Sequence, residues 1–226
     1  MLHRSIVVTL FGLAMPLAAQ VPAAAPPAPT VRVSLQTSAG EILLELERAK
    51  APITVGNFLR YVDQKRLDGT NFYRATKVAP GYGLIQGGTR NDPKKALPAI
   101  KLEPTTVTGL THDNGTISMA RGGPPNSATG DFFITVGKME SMNADPTRTG
   151  DDALGYAVFG HVVSGMDVVQ AILDSPTSPT EGEGVMKGQM LSPKIRIISA
   201  KRAPNPPPAS ASPAAPAPAP TATPGE

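Results

Sequence analysis

The chain has 226 residues with 21 Lys and Arg against 18 Asp and Glu. The formal net charge of +3 is spread along the chain, which argues against a nucleic-acid-binding surface because such a surface concentrates its basic residues. There is no cysteine, so disulfides, thiolate metal sites, cysteine nucleophiles and lipidated cysteine anchors are excluded.

Residues 1–20 are typical of a secretion signal peptide. Arg4 supplies an early positive charge, an apolar run extends from residue 5 to 17, and Ala18 and Ala19 follow it. The run is shorter than the roughly 20 residues that a transmembrane helix needs. We therefore expect cleavage, export to the periplasm and no membrane span in the mature protein. An uncleaved N-terminal anchor is the alternative.

Proline and alanine dominate two further segments, residues 21–30 and 203–226. This composition favours extended polyproline conformations and offers little apolar surface to bury. We interpret the first segment as a linker and the second as a disordered tail. Residues 31–202 remain as a single domain that is long enough to bury a substantial core.

The domain opens with a predicted β-hairpin. Val33 and Leu35 alternate with polar residues in its first strand. Ile42 and Leu44 alternate with Leu43 and Glu45 in its second, and Gly40 lies in the turn. Six more short strands are predicted at residues 72–76, 83–86, 116–120, 132–136, 157–161 and 194–200.

Two helices are predicted. The first follows Pro52, has Thr54 as its N-cap, and carries an apolar stripe made by Val55, Phe58, Leu59 and Val62. The second spans residues 165–173, with Ser164 as its N-cap and Pro176 beyond its end. Eight strands and two helices predict a mainly β fold, a closed eight-stranded antiparallel β-barrel capped by two α-helices.

Sequence motifs for nucleophile or nucleotide chemistry are absent. A partial calcium-loop pattern begins at Asp145, but its twelfth position is Tyr156 and not Glu, and flanking helices are missing, so we interpret it as a polar surface loop. His112 and His161 lie outside the signal and have no metal-ligand spacing, and we interpret both as loop or barrel-edge residues. The chain has no G-x-S-x-G motif and no dinucleotide or P-loop glycine spacing. We therefore expect no metal and no cofactor, which leaves activities that stabilise one conformation of a bound molecule.

Six segments occur in a specific order and spacing: KAPITV at 50–55, DGTNFYR at 68–74, IQGG at 85–88, ISMAR at 117–121, FFI at 132–134 and VFG at 158–160. Together they resemble the cyclophilin family over nearly all of residues 31–200, closest to its bacterial periplasmic branch. The resemblance implies an eight-stranded barrel with two helices. It also implies cis–trans isomerisation of the peptide bond that precedes proline.

The same resemblance implies that Arg74 is the catalytic residue. Amide resonance gives this bond a rotational barrier of about 18–20 kcal/mol. In the twisted state the prolyl nitrogen gains a lone pair, to which a guanidinium can donate a hydrogen bond. From its position alone, an exposed strand arginine in an ion pair is the favoured interpretation of Arg74.

An apolar pocket for the proline ring is also implied. Its floor would be Phe133 and its walls Leu84 and Met142. Phe132 is expected to point into the core, because consecutive strand residues face opposite sides.

The remaining predicted substrate-binding residues surround this pocket. Gln86 would contact the substrate backbone, and the backbone of Ala120 and Arg121 would pair with the extended peptide as an added strand. Phe72 and Tyr156 complete the set, with Tyr156 at the place of a groove histidine in the eukaryotic branch.

The chain departs from the family pattern in several places. Extra residues between Arg74 and Gln86 put the usual pocket aromatic either on Gly83 or on Tyr82, and Asp131 stands where glutamine is common. There is no tryptophan, and the position linked to strong cyclosporin binding falls near Ser141 or Met142, so we expect weak cyclosporin sensitivity.

The sequence thus predicts a monomeric peptidyl-prolyl isomerase that acts on proline-containing unfolded or extended polypeptides while exported proteins fold. The alternative is a catalytically weak periplasmic chaperone or peptide-binding module on the same scaffold.

Overall fold

A computed structural model describes residues 30–205 of the chain. The predicted signal peptide, all of the predicted linker except Thr30, and the predicted tail beyond Asn205 lie outside the described residues. At the boundary, the Asn205 side chain donates to the Thr30 carbonyl at 2.9 Å and accepts the Arg32 N–H at 3.1 Å. The two ends of the described chain therefore lie side by side.

Nine strands and three α-helices make up the fold of residues 30–205. The strands are β1 Val31–Thr37, β2 Gly40–Leu46, β3 Asn71–Ala79, β4 Tyr82–Gly88, β5 Thr116–Met119, β6 Phe132–Val136, β7 Ala157–Ser164, β8 Thr177–Ser178 and β9 Met190–Ala203. The helices are α1 Pro52–Asp63, α2 Thr105–Thr108 and α3 Met166–Asp174, and short 3-10 turns lie at Glu140–Met142, Asp151–Leu154 and Gly184–Met186. None of the described helices has the length and apolar character needed to cross a membrane.

Eight strands close into an antiparallel barrel in the order β1-β2-β7-β5-β6-β4-β3-β9, and β1 pairs with β9 to complete the circle. The predicted barrel is confirmed. The two-residue strand β8 pairs with β9 outside this circle. Strand β9 has 14 residues, longer than the predicted 194–200, because it pairs with both β1 and β3.

The core fills the barrel with the apolar residues that the alternating pattern places inside. Val33, Leu35, Ile42 and Leu44 are all fully buried, as predicted. Aromatic rings from helix and strands meet there: the Phe58 ring of α1 lies 5.4 Å from Phe132 and 5.2 Å from Phe159, centroid to centroid. Each buried ring contributes about 1.5–3 kcal/mol to the free energy of folding.

Helix α1 begins differently from the prediction. Pro52 takes the first helical position, where its missing N–H costs nothing, so Thr54 already lies inside the first turn and is not the N-cap. The cap comes from a distant segment: the Glu103 carboxylate accepts the N–H of Ile53 at 3.1 Å and that of Thr54 at 2.8 Å. It also accepts the Thr54 hydroxyl at 2.6 Å.

Helix α3 follows β7 through a sharp glycine turn. Its N-cap is Gly165 at φ 90°, without a side-chain cap, and Ser164 is the last residue of β7. The predicted Ser164 cap is therefore wrong. A Cβ at Gly165 would lie 2.2 Å from the Glu41 carbonyl oxygen, so the strand approaches too closely for any other residue to make this turn.

Candidate active site

Three of the predicted site residues, Arg74, Gln86 and Phe133, lie in one row across the outer face of the barrel. Arg74 of β3 pairs with Gln86 of β4, Gln86 pairs with Phe133 of β6, and Phe133 pairs with Ser118 of β5. Side chains directly opposite one another in neighbouring strands have Cβ atoms about 4.5–5.5 Å apart. Strand register alone therefore brings Arg74, Gln86 and Phe133 together.

A β-bulge at Tyr73 turns Arg74 toward this face. Phe72 pairs with Gly87, but the next paired residues are Arg74 and Gln86, so Tyr73 is an extra residue in β3. Phe72 and Ala75 are both buried in the core, three residues apart rather than two. Without the bulge, simple alternation would point Arg74 inward beside Phe72.

The Arg74 guanidinium is held by two neutral amides. Its Nε donates to Gln189 Oε1 and its Nη1 donates to Gln86 Oε1, both at 2.9 Å. Within residues 30–205 it forms no ion pair, so the alternative of an exposed, ion-paired arginine does not describe it. Burial lowers the pKa of Arg74 from its ordinary value, yet a guanidinium keeps its proton throughout the physiological range. The result is a half-buried positive charge without a neighbouring carboxylate.

The orientation of the Gln86 amide follows from its partners. Its oxygen accepts from Arg74, while its Nε2 donates to the Tyr73 hydroxyl at 2.8 Å. Burial, followed by the negative charge of Asp131, raises the pKa of the Tyr73 hydroxyl above its ordinary value. The hydroxyl therefore stays protonated, and Gln86 is fixed with its oxygen toward the catalytic candidate.

The Asp131 side chain points to the turn after β4 and not to the row formed by Arg74, Gln86 and Phe133. Its buried carboxylate accepts the backbone N–H of Arg90 at 2.7 Å and that of Asn91 at 3.2 Å. Both residues have positive φ, 51° and 56°. Burial raises the pKa of Asp131, and the two backbone donors oppose this rise. The carboxylate thus stabilises a strained turn after β4 that lies beside Tyr73.

Apolar residues gather around Phe133. Leu84, Phe133 and Met139 form a small buried cluster separate from the main core, and Tyr82, Ala120, Met142 and Tyr156 pack against it. The Tyr156 ring meets Phe133 edge-on, with centroids 5.4 Å apart. The sequence reasoning missed Met139, although its spacing from Met142 across one turn was a signal that both face the same side.

Gly83 and Tyr82, the two candidates for the aromatic wall, lie on opposite faces of β4. A Cβ at Gly83 would lie 3.1 Å from the Leu173 side chain of α3, so Gly83 faces the barrel interior. Tyr82 is on the opposite face beside Leu84, and its hydroxyl donates to the Lys138 carbonyl at 2.9 Å. Its ring covers Gly137, where any Cβ would lie 2.4 Å from Tyr82 Cδ2.

His112 lies in the loop before β5, as expected, and it supports Phe133 from below. It is fully buried, and its ring stacks on Phe133 with centroids 5.9 Å apart and planes at 8°. Its Nδ1 lies 2.7 Å from Asn143 Oδ1, and its Nε2 lies 2.9 Å from the Ser118 hydroxyl. Because an amide oxygen only accepts, Nδ1 carries the proton and Nε2 accepts from Ser118. Burial lowers the pKa of His112, which keeps the ring neutral.

Three further predicted binding residues, Phe72, Ala120 and Arg121, already make contacts within the protein. Phe72 is fully buried, with its ring 5.6 Å from that of Phe132, so it belongs to the core and its predicted place in the groove is wrong. The Ala120 N–H already donates to the Asp131 carbonyl at 2.9 Å and does not remain for a peptide. Arg121 donates to the Gly155 carbonyl at 2.9 Å and lies 5.2 Å above the centre of the Tyr156 ring.

Sequence reasoning also missed Gln189. It reaches Arg74 from 115 residues away in the chain, in a segment that the family resemblance does not cover with a motif. No local pattern marks such a contact. Residues 30–205 also contain no cluster of three or more His, Cys, Asp or Glu side chains placed to hold a metal ion.

Known proteins resemble this chain in sequence over most of the described residues. Residues 32–202 match the family described as "Cyclophilin type peptidyl-prolyl cis-trans isomerase/CLD". A peptidyl-prolyl cis-trans isomerase of Acinetobacter baylyi is 41% identical over 146 residues, which are 65% of this chain and 73% of that protein. One of Streptomyces antibioticus is 41% identical over 150 residues, 66% of this chain and 87% of that protein.

Solved structures share the fold. A cyclophilin type peptidyl-prolyl cis-trans isomerase of Cryptosporidium parvum aligns with a TM-score of 0.63 at 23% identity, over 78% of this chain and 99% of that one. A second crystal structure of it, in the presence of the dipeptide Ala-Pro, aligns with a TM-score of 0.61 at 23% identity, over 77% and 99% of the two chains.

Proposed function

Because this chain belongs to the cyclophilin-type family of peptidyl-prolyl cis–trans isomerases, we propose that it accelerates Xaa-Pro rotation in exported polypeptides, with Arg74 as its catalytic residue. The chain is a peptidyl-prolyl isomerase by family and by its relatives. Its place of action, its clients and the role of each side chain are our proposals.

To accelerate rotation about the Xaa-Pro bond, the protein needs only to stabilise the twisted amide. Uncatalysed exchange takes tens to hundreds of seconds, and each reduction of the barrier by about 1.4 kcal/mol raises the rate tenfold. As the bond twists, the prolyl nitrogen becomes pyramidal and accepts a hydrogen bond. Arg74 donates that bond, since Nη2 has no protein partner among the described residues and its charge is not neutralised nearby. A fixed donor in a site poor in water costs no reorganisation during the reaction.

The proline ring occupies the Phe133 cluster in this proposal. Phe133 forms the floor, and Leu84, Met142 and Tyr82 form the sides. A proline ring has no N–H and no charge, so an apolar site of this kind suits it. The Ala-Pro dipeptide in the crystals of the Cryptosporidium relative supports a proline-containing peptide as the ligand class.

The observation that carries the proposal is the single cross-strand row of Arg74, Gln86 and Phe133. It sets a permanent hydrogen-bond donor directly beside an apolar platform, which are the two features that a twisted Xaa-Pro bond needs. The alternative, a catalytically weak chaperone on this scaffold, depended on a missing pocket wall. Tyr82 packs against the Phe133 cluster, which supports the isomerase over this alternative.

Protease-coupled isomerisation of an Ala-Pro test peptide tests the proposal. We expect Arg74→Ala to lower kcat/KM by at least about tenfold, the loss of one charged hydrogen bond. Arg202→Ala is the matched control, because it removes an exposed arginine paired with Asp63 at 2.7 Å far from the row. An Arg74→Ala enzyme as fast as the wild type would remove Arg74 from the mechanism.

Periplasmic action rests on the signal-like residues 1–20. We expect fractionated cells to contain the protein in the periplasm with residues 1–20 removed, and a variant that lacks them to stay in the cytoplasm. Recovery of the full-length chain in the membrane fraction would favour an uncleaved anchor instead. A monomer is expected in solution, which light scattering checks.

A further inference from the structure

Gln189, the residue immediately before β9, connects Arg74 to a surface loop. Its side-chain oxygen accepts from Arg74 Nε at 2.9 Å and from the Thr76 hydroxyl at 2.8 Å. Its amide nitrogen donates to the Val185 carbonyl at 2.7 Å. Because a guanidinium only donates and a carbonyl only accepts, these partners permit one orientation of the amide, with its oxygen toward Arg74.

The main chain around Gln189 is fixed independently of this side chain. The Gln189 carbonyl accepts from Ala75 N–H at 2.9 Å, and the Gln189 N–H donates to the Met186 carbonyl at 3.1 Å. The loop itself closes through a hydrogen bond from Gly188 N–H to the Glu181 carbonyl at 2.9 Å. Replacement of the side chain therefore leaves the strand and the loop in place.

Gln86 and Gln189 accept hydrogen bonds from different nitrogens of the Arg74 guanidinium. Gln86 holds Nη1 and Gln189 holds Nε, and together they define the plane of the group and leave Nη2 for the substrate. A long arginine side chain carries about 2 kcal/mol of rotamer entropy. A single hydrogen bond leaves the guanidinium free to rotate about that contact, whereas two bonds fix it.

We propose that Gln189 is a positioning residue that sets the orientation of the Arg74 guanidinium, and that the loop of residues 181–188 holds Gln189 in turn. The proposal rests on Arg74 as the catalytic residue. Both supporting amides are neutral, which positions the charge without neutralising it. A carboxylate in either place would compete with the prolyl nitrogen for the guanidinium.

Gln189→Met tests this with a side chain of nearly the same length that forms no such hydrogen bonds. We expect kcat for the Ala-Pro test peptide to fall about 5- to 30-fold, since small misplacements of a catalytic group cost up to about 100-fold. KM should stay within about twofold, because the Phe133 cluster is untouched. Thr76→Val is the control: it removes the other donor to the same oxygen and should leave kcat within about twofold.

A double-mutant cycle separates positioning from other roles. Arg74→Lys already lacks the Nε donor, so Gln189→Met should have almost no further effect on kcat in that background. An equal loss of kcat in both backgrounds, or no loss in the wild-type background, overturns the proposal. An unchanged rate for Arg74→Ala would instead refute the proposed function itself.

A nuclear magnetic resonance measurement gives a readout that does not depend on activity. In the wild type we expect a resolved Arg74 Nε–H signal with slow solvent exchange, and in Gln189→Met a shifted signal with faster exchange. An identical signal in the two proteins would show that Gln189 does not hold the guanidinium, and would overturn the proposal. Equal free energies of unfolding for the two proteins exclude general loosening as the cause of any rate change.

Discussion

Gln86→Glu changes one NH₂ group of the site into an oxygen and leaves the size of the side chain unchanged. The amide oxygen of Gln86 lies 2.9 Å from Arg74 Nη1, so the new carboxylate would pair with the guanidinium directly. The Tyr73 hydroxyl accepts from Gln86 at 2.8 Å and is also a hydrogen-bond partner of Asp131, so it would turn away from Asp131 in order to donate to the new carboxylate. We therefore expect a folded protein with a neutralised Arg74.

The size of the effect follows from the charge pair. Unit charges about 4 Å apart attract by roughly 4 kcal/mol at an effective dielectric constant near 20. The substrate nitrogen must draw the guanidinium away from that partner in the transition state. If about half of the attraction opposes this, the barrier rises by about 2 kcal/mol and the rate falls about 30-fold.

The assay is protease-coupled isomerisation of the Ala-Pro test peptide, with unfolding in urea measured in parallel. Gln64→Glu is the matched control, because Gln64 also accepts from an arginine, Arg66, at 2.7 Å but on the exposed surface. We expect no change in its kcat/KM. If Gln86→Glu keeps the full rate at pH 8 while its unfolding free energy is normal, catalysis does not depend on an unneutralised Arg74.

Further predictions concern stability and inhibition. Glu103→Ala should lower the unfolding free energy by about 2–4 kcal/mol, because it leaves buried donors at the start of α1 unpaired; urea denaturation with a loss below about 0.5 kcal/mol would contradict this. Burial lowers the pKa of His112, so the unfolded chain binds more protons and stability should fall as the pH drops below about 6.5. His112→Asn should flatten that pH dependence, and an unchanged slope would assign the titration to another group. Cyclosporin should inhibit weakly, and inhibition in the low nanomolar range would refute this expectation.

Much of the barrel was predictable because burial on one face of a strand constrains its sequence. In the opening hairpin, Val33 and Leu35 face inward while their neighbours face water, and a shift of one residue would expose all of them. Helix α1 carries its apolar stripe for the same reason. The α3 boundary was predictable but its cap was not, since the need for Gly165 comes from the approach of β2 and not from the helix.

Some residues of the candidate site were also predictable from the sequence, and others were not. Arg74, Gln86 and Phe133 were identified through the family resemblance, and strand register explains why they meet. Glu103 and Gln189 act through partners far away in the chain, and so does His112 through Asn143, which no local pattern reports. The bulge at Tyr73 is the clearest case: a strict alternation through Phe72 predicts Arg74 inside the barrel, and only its pairing with β4 and β9 reveals the extra residue.

The insertion between Arg74 and Gln86 illustrates why the site tolerates a longer chain. An antiparallel hairpin keeps two residues opposite each other however many residues are added beyond them, provided that each strand gains the same number. Here β3 extends to Ala79 and β4 begins at Tyr82, with a turn at Gly81 of φ 67°. The register shift between Lys77 and Ala79 absorbs one unpaired residue. The pairing of Arg74 with Gln86 is therefore undisturbed, and the added length brings Tyr82 to the edge of the Phe133 cluster, where we propose that it forms the wall of the proline pocket.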